Sequence, residues 1–358
     1  VQQLDTDIGL TQGGVLYLAG SPAEMARFER WLPHAETHGL DTQLLDRAGV
    51  AARLPGARGD WRGGLWTASD MRAEPWVAVP ALARLAAREG AVIREACAAR
   101  MLDLQAGRVA GVVTEAGRVK TSSVVVAGGA WSRLFLRRAG VDIPQLSVRA
   151  SVAAPAPLSW STPIAAASEN LAVRRRADGG YTVAAAGFHE LFIGRDAVRS
   201  LPKWLPQLKA APFDTRFLPA APRGYPDAWG TPRAWSDDRP GPFEALRVLD
   251  PPPNMGRLAR AARAFARMFP GLGEARLRTA WAGMIDTMPD LVPVVDRAEA
   301  VPGLVIATGM SGHGFGIGPG MGRVAADLVM GNDPGHDLLR FRLSRFTDGS
   351  KIDLGAAA

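Results

Sequence analysis

The chain has 358 residues, 47% of them apolar and 22% charged, a balance that excludes a disordered or fibrous protein and is large enough for two domains or one with a sizeable core. The formal net charge is +7, yet among the 42 basic residues only Lys120, Lys203, Lys209 and Lys351 are lysines, and the arginines lie singly except for Arg174–Arg176. No basic stripe with interleaved aromatics is present, so nucleic acid is not an expected partner.

A single cysteine, Cys97, excludes an internal disulfide, and five scattered histidines give no metal-binding pattern, so no metal site is expected. The expected compartment is the cytoplasm, with peripheral contact to the inner membrane left open. The longest charge-free stretch, 150–168, contains Pro155, Pro157 and Pro163 and is not read as a membrane span. The N-terminus, Val1-Gln2-Gln3, has neither an initiating methionine nor a signal pattern and reads as a cut edge.

In chain order, 14–19 is a short apolar strand candidate. Ser21-Pro22-Ala23-Glu24 then has the spacing of a capping box and predicts a helix to about His34. A strand is expected at 64–67. The loop Asp70–Pro75 leads into a helix that ends near Glu89, with Gly90 as its stop and Pro80 kinking its first turn. Strands follow at 92–95, 99–104, 109–114 and 119–127. The middle of the chain is mostly β, with a hairpin at 171–176 and 181–186 around Asp178-Gly179-Gly180. Prolines and tryptophans between Pro202 and Pro253 predict covering loops. One helix stands out at 254–269, with Leu258, Ala261, Phe265, Met268 and Phe269 opposite Arg257, Arg260, Arg263 and Arg267; that basic face is either simply solvated or meets a membrane or partner. A buried strand is expected at 304–308, and an amphipathic helix carrying Met321, Val324, Ala325, Leu328 and Val329 follows a glycine-rich turn. The tail after Phe346 reads as frayed.

Chemistry concentrates in two strand-end segments. Residues 309–320 hold six glycines, Gly309, Gly312, Gly314, Gly316, Gly318 and Gly320, between the buried strand and the helix. Such a segment lets the backbone approach a ligand and points amide N–H groups and a positive helix end at it, so a flat, electron-rich or anionic ligand is expected, against a turn that binds nothing. Val124-Val125-Val126-Ala127-Gly128-Gly129-Ala130-Trp131-Ser132 repeats the design, and two such ends can border one crevice.

The two motifs in this order, with Trp281–Asp296 before the second and Ser69–Pro75 near the start, resemble the flavoprotein superfamily of D-amino-acid oxidase, glycine oxidase, sarcosine oxidase and D-amino-acid dehydrogenase over nearly the whole chain. The resemblance implies an α/β flavoprotein of two interleaved domains, with an FAD-binding half at 70–145 and 281–335, a mixed-sheet substrate half at 10–69 and 146–280, and a C-terminal tail at 336–358. It implies FAD contacts from Ala99, Gly128, Gly129, Trp131, Gly309, Met310, Ser311, Gly312, His313, Gly314, Phe315 and Gly316. The implied reaction is oxidation of the C–N bond of an amino acid or secondary amine by hydride transfer to FAD, giving an imine that hydrolyses. It needs positioning more than an acid or base, so no catalytic side chain is singled out. Oxidation of a 2-hydroxy acid, or a truncated and silent relative, are the alternatives, and the electron acceptor and oligomeric state are left open.

Two departures from the family pattern stand out. No GxGxxG aligns anywhere, because the third glycine of each candidate is replaced by Ile317, Pro319, Met321 or Arg323, so the βαβ unit that holds the ADP half of FAD is expected to be missing. The arginine that follows Trp-x-Gly in glycine-oxidase-like members is also missing, since Trp281-Ala282-Gly283 runs into Met284-Ile285-Asp286. A substrate carboxylate calls for an arginine fork, for which Arg72 and Arg174 are the candidates. Asp286 is a candidate partner for a substrate cation or else a hydrogen-bonded loop aspartate; His313 either contacts cofactor or substrate or simply packs.

Overall fold

The structure is a computed structural model that describes residues 3–160, 162–210 and 215–355. Its first helix, Pro22–Thr37, starts as its capping chemistry requires. Ser21 Oγ accepts from the Glu24 N–H at 3.2 Å, and the Glu24 carboxylate accepts from the Ser21 N–H at 3.0 Å. This helix covers one end of a ten-stranded mixed sheet. Across the sheet run Thr215–Leu218, His189–Phe192, Leu146–Pro155, Tyr181–Ala184, Ala172–Arg175, Ala165–Ala167, Val15–Ala19, Gly63–Thr67 and Thr42–Asp46, and Leu277–Thr287 pairs along the whole length of Leu146–Pro155. The expected hairpin is present as Ala172–Arg175 against Tyr181–Ala184.

The helix Met255–Met268, capped by the Asn254 side chain, buries Leu258, Ala261, Phe265 and Met268 against this sheet. Trp160 stacks on Tyr181 at 5.0 Å and meets Phe269 at 4.2 Å, which closes the core beneath the helix. A second layer is the three-stranded sheet Val294–Arg297, Leu304–Thr308 and Val124–Val126, packed on the helix Gly314–Met330. Leu304–Thr308 is buried at every residue, as a strand covered on both faces must be. It runs parallel to Val124–Val126, so the ends of both strands, with their glycine turns, emerge side by side. A three-stranded meander, Ala99–Gln105, Arg108–Thr114 and Gly117–Lys120, flanks this layer.

Several expectations are corrected. Residues 92–95 form no strand, and their Val92 and Ile93 are exposed, so nothing packs against an apolar run that would otherwise form a strand. The expected strand 119–127 is two strands, broken at Thr121–Ser123, where the Thr121 hydroxyl turns the chain by bonding Ser123. Instead of loops throughout 202–253, a helix spans Arg195–Ala210 with Pro202 and Pro206 inside it. Tertiary packing outweighs proline's cost there: Trp204 is buried and its Nε1 donates to the Pro144 carbonyl at 2.8 Å. The glycine-rich turn is shorter than expected, because the helix begins at Gly314 and absorbs Gly316, Gly318, Gly320 and Gly322. The boundary placed at residue 281 falls within the strand Leu277–Thr287 of the large sheet. No helix among the described residues is long and apolar enough to cross a membrane.

Candidate active site at two strand ends

The turn after Leu304–Thr308 is held from behind by Asp286. Its carboxylate accepts from the Gly309 N–H at 2.7 Å and its carbonyl from the Ser311 N–H at 2.9 Å, so one residue fixes both sides of Met310. Gly309, Ser311 and Gly312 all have positive φ, with Ser311 at 50°. At Gly309 a Cβ would fall 2.4 Å from the Met288 side chain, so this position admits only glycine on both counts. The Ser311 hydroxyl accepts from the Met288 N–H at 3.3 Å and offsets part of its own strain.

Gln145 joins this turn to the other strand end. Its Nε2 donates to the Gly129 carbonyl at 3.1 Å, to Thr308 Oγ at 3.0 Å and to the Asp286 carboxylate at 3.3 Å, while its Oε1 accepts from the Arg133 N–H at 3.1 Å. Thr308 Oγ in turn lies 2.8 Å from Ser132 Oγ. With Ser132, Gln145 and Thr308 all buried, the network sits in a low-dielectric interior where each satisfied bond rigidifies its neighbours.

Beyond the turn, the backbone faces outward. His313 at the N-cap of Gly314–Met330 makes no side-chain cap. The first N–H groups of that helix, at Gly314 and Phe315, and that of Gly312 meet no protein acceptor among the described residues. Four of the first helical donors lack intrahelical partners by construction, so an open N-terminus is a ready site for an electron-rich group. Cβ atoms built at Gly316, Gly318, Gly320 and Gly322 would enter open space; at helical spacing Gly316 and Gly320 share one face and Gly318 and Gly322 the opposite one, so each face lacks side chains at two successive turns.

Ser311, Gly312 and His313 open onto a cavity of about 1030 Å³. Its walls are apolar: Leu146, Val148, Leu191 and Ile285 come from the sheet, and Val198, Leu201, Trp204 and Leu208 from the helix Arg195–Ala210. Tyr17, Arg27, His189 and Gln207 supply polar groups, and none of the lining residues is an aspartate or glutamate. Burial, with the Asp70 carboxylate nearby, raises the Tyr17 phenol above its usual range, so it lines the cavity as a neutral hydroxyl.

The sequence-derived candidates divide accordingly. Gly309, Met310, Ser311, Gly312, His313, Gly314, Phe315 and Gly316 form the turn and helix start, although the Met310 side chain packs against the buried cluster between this sheet and the helix. Gly128 and Gly129 stand at the neighbouring strand end, tied in through Gln145. Trp131 turns edge-on to Phe243 at 5.4 Å, and Ala99 begins the meander; neither lines the cavity. Arg72 and Arg174 do not line it either. Both lie against Glu74, at 4.0 and 3.3 Å; Arg174 also donates to the Ala73 carbonyl, so internal partners occupy its fork, whereas Arg72 Nε and one terminal nitrogen are buried without a hydrogen-bond partner, away from the cavity. Asp286 lies in the strand Leu277–Thr287, not in a loop, and its carboxylate bonds Gly309, Thr308 and Gln145. The residues missed by sequence reasoning are Gln145, Thr308, Ser132, Arg27 and the Arg195–Ala210 wall. Only the helix gave a usable signal, its apolar residues at 198, 201, 204, 205 and 208, which the two prolines obscured.

Comparison with known proteins follows the same lines. The family described as DAO, FAD dependent oxidoreductase, matches residues 1–328. The D-amino acid dehydrogenase of Rhodopseudomonas palustris (strain HaA2) is 24% identical over 367 residues, covering 99% of this chain and 72% of its own length. That of Sinorhizobium medicae (strain WSM419) is 27% identical over 320 residues, covering 88% of this chain but only 63% of its own length. Among solved structures, L-amino acid deaminase from Proteus myxofaciens in complex with anthranilate superposes with a TM-score of 0.89 at 27% identity, covering 97% of this chain and 78% of the other. The open helix start and adjoining cavity fit the redox ring of FAD; no glycine-rich βαβ fingerprint in this sequence fits its ADP half. The chain belongs to the DAO family of FAD-dependent oxidoreductases.

Proposed function

We propose that the protein oxidises the C–N bond of an amino acid or secondary amine whose side chain is apolar. The observation that carries this reading is the open N-terminus of Gly314–Met330 facing an acid-free, apolar cavity. When bound, FAD supplies the acceptor for the hydride that leaves the substrate α-carbon, and the resulting imine hydrolyses in water. The N–H groups of Gly312, Gly314 and Phe315, with the positive end of the helix behind them, would favour negative charge at this position. Asp286 and Gln145 hold those groups in place before any ligand arrives, so little reorganisation is needed on binding. Val198, Leu201, Trp204 and Leu208 give the cavity an apolar wall that suits an apolar side chain. With no lining carboxylate to stabilise an ammonium, the substrate amine is held in its neutral form, which a hydride-transfer step requires.

Arg27 is the one arginine or lysine among the residues lining the cavity, and it has no carboxylate within ion-pair distance among the described residues. We assign it the substrate carboxylate in place of Arg72 and Arg174. The test is anaerobic mixing of the FAD-loaded protein with a panel of amino acids, N-methyl amino acids and 2-hydroxy acids, read as bleaching near 450 nm. Apolar amino acids should bleach the flavin, and Arg27→Ala should raise their KM at least tenfold, one lost charge-assisted hydrogen bond at ~1.5–3 kcal/mol. Bleaching by 2-hydroxy acids alone would replace this reading with the hydroxy-acid one.

A further inference from the structure

On the face of the large sheet away from the cavity, the helix Met255–Met268 carries four arginines and no acidic residue. Arg257, Arg260, Arg263 and Arg267 rim a groove of about 260 Å³ whose floor is Ala261 and Ala264 and whose far wall is Asn170, Ala185 and Ala186 of the hairpin region. Alanine on the floor lets a ligand come close to the helix, and the guanidinium forks can meet it from several sides. None of the four forms an ion pair within 4.0 Å among the described residues, whereas elsewhere buried or half-buried arginines such as Arg100, Arg149 and Arg345 are each paired with a carboxylate.

Arg257 is placed by its guanidinium lying 3.5 Å from the centre of the Phe188 ring, which fixes one wall of the groove in advance. The charged groups around it are Arg260 and Arg216, both repulsive, and Glu190, which already bonds Arg149 and Asn254. Burial first, then the like charges of Arg260 and Arg216, lower the Arg257 pKa from its ordinary value against the opposing pull of Glu190. An arginine fork matches phosphate oxygens as a pair of parallel hydrogen bonds, and the groove's volume suits a phosphate or diphosphate group better than a whole nucleotide.

We propose that this groove is a phosphate-binding site, separate from the redox site. The phosphate belongs either to a free anion or to a lipid head group. Isothermal titration with inorganic pyrophosphate, and co-sedimentation with phosphatidylcholine vesicles with and without phosphatidylglycerol, distinguish the sources. The comparison proteins are R260Q/R267Q and a control, R30Q/R94Q, which removes the same charge at exposed positions elsewhere. The wild type should bind at least one probe. R260Q/R267Q should weaken that binding about 25-fold, about fivefold for each arginine, and the control should bind as the wild type does. Saturation by pyrophosphate without sedimentation identifies a free anion; sedimentation only on phosphatidylglycerol vesicles identifies a head group. Failure of both probes with the wild type, equal binding by R260Q/R267Q, or an equal loss in R30Q/R94Q overturns the proposal.

Discussion

On one side of Gln145, the Asp286 carboxylate is surrounded by neutral donors, Gly309 N–H, Thr308 Oγ and Gln145 Nε2, all aimed at one oxygen. On the other side, Asp196 is surrounded by cations: Arg137 at 2.8 Å, Arg233 at 3.2 Å and Arg133 at 3.7 Å. The first cluster satisfies its backbone donors and holds a turn in one shape. The second leaves Arg133 Nε and the Nε and one terminal nitrogen of Arg233 buried without a hydrogen-bond partner, so it depends more on charge balance than on satisfied hydrogen bonds. Beside it lies Asp227, whose pKa is raised from 3.8 to about 7 by complete burial and by the neighbouring Asp196, against the opposing pull of Arg133 and Arg233. A rigid clamp of neutral donors on one carboxylate thus stands next to an arginine-rich cluster that can titrate, and Gln145, with Arg133 bonded to its backbone carbonyl at 3.0 Å, belongs to both.

The largest test of this contrast is Asp196→Ala. It removes the buried carboxylate shared by Arg133, Arg137 and Arg233 and leaves Arg133 only the half-exposed Asp142 at 3.3 Å, and urea denaturation should show a loss of ~3–5 kcal/mol. Asp286→Ala should cost less, about 1.5–3 kcal/mol for a charged hydrogen bond, because the turn can still pack around Met288. Hydrogen exchange separates the two: Asp286→Ala should speed exchange in residues 305–318 selectively, and equal acceleration everywhere would dissolve the distinction between clamp and cluster.

The third test uses pH. The folded-state pKa of Asp227 is above the unfolded value, so the native state holds the extra proton between about pH 4 and 7. The stabilisation is complete below the unfolded pKa and is lost as pH rises through about 7, at no more than ~1.4 kcal/mol per pH unit. Asp227→Asn should remove that slope while leaving the pH dependence contributed by exposed groups. A slope that survives the substitution would assign the titration elsewhere.

How much of this was legible beforehand depends on the distance over which each feature is decided. The capping box at Ser21 and Glu24, the hairpin at Asp178-Gly179-Gly180, the alternation of faces in Met255–Met268 and the buried run Leu304–Thr308 are all settled within a few residues by caps, turns and periodicity. The glycines of 309–316 were legible for the same reason, since positive φ and close approach can each be met only by a residue without a Cβ. The proline-bearing helix Arg195–Ala210 was not, because its stability comes from Trp204 and Leu208 packing on strands far away in the chain.

The roles of the charged residues were decided even less locally. Arg174 was a reasonable substrate anchor until the fold brought Glu74 beside it, and Arg27 gained its proposed role only because the fold places it among the residues lining the cavity. Gln145 has no pattern around it, yet it joins Gly129, Asp286 and Thr308 across as many as 163 positions. Backbone geometry follows from local sterics and could be read from the order of the residues. The partner of a fork, amide or carboxylate is whatever the folded chain places within about 3 Å, and that distance exists only once the sheets have assembled.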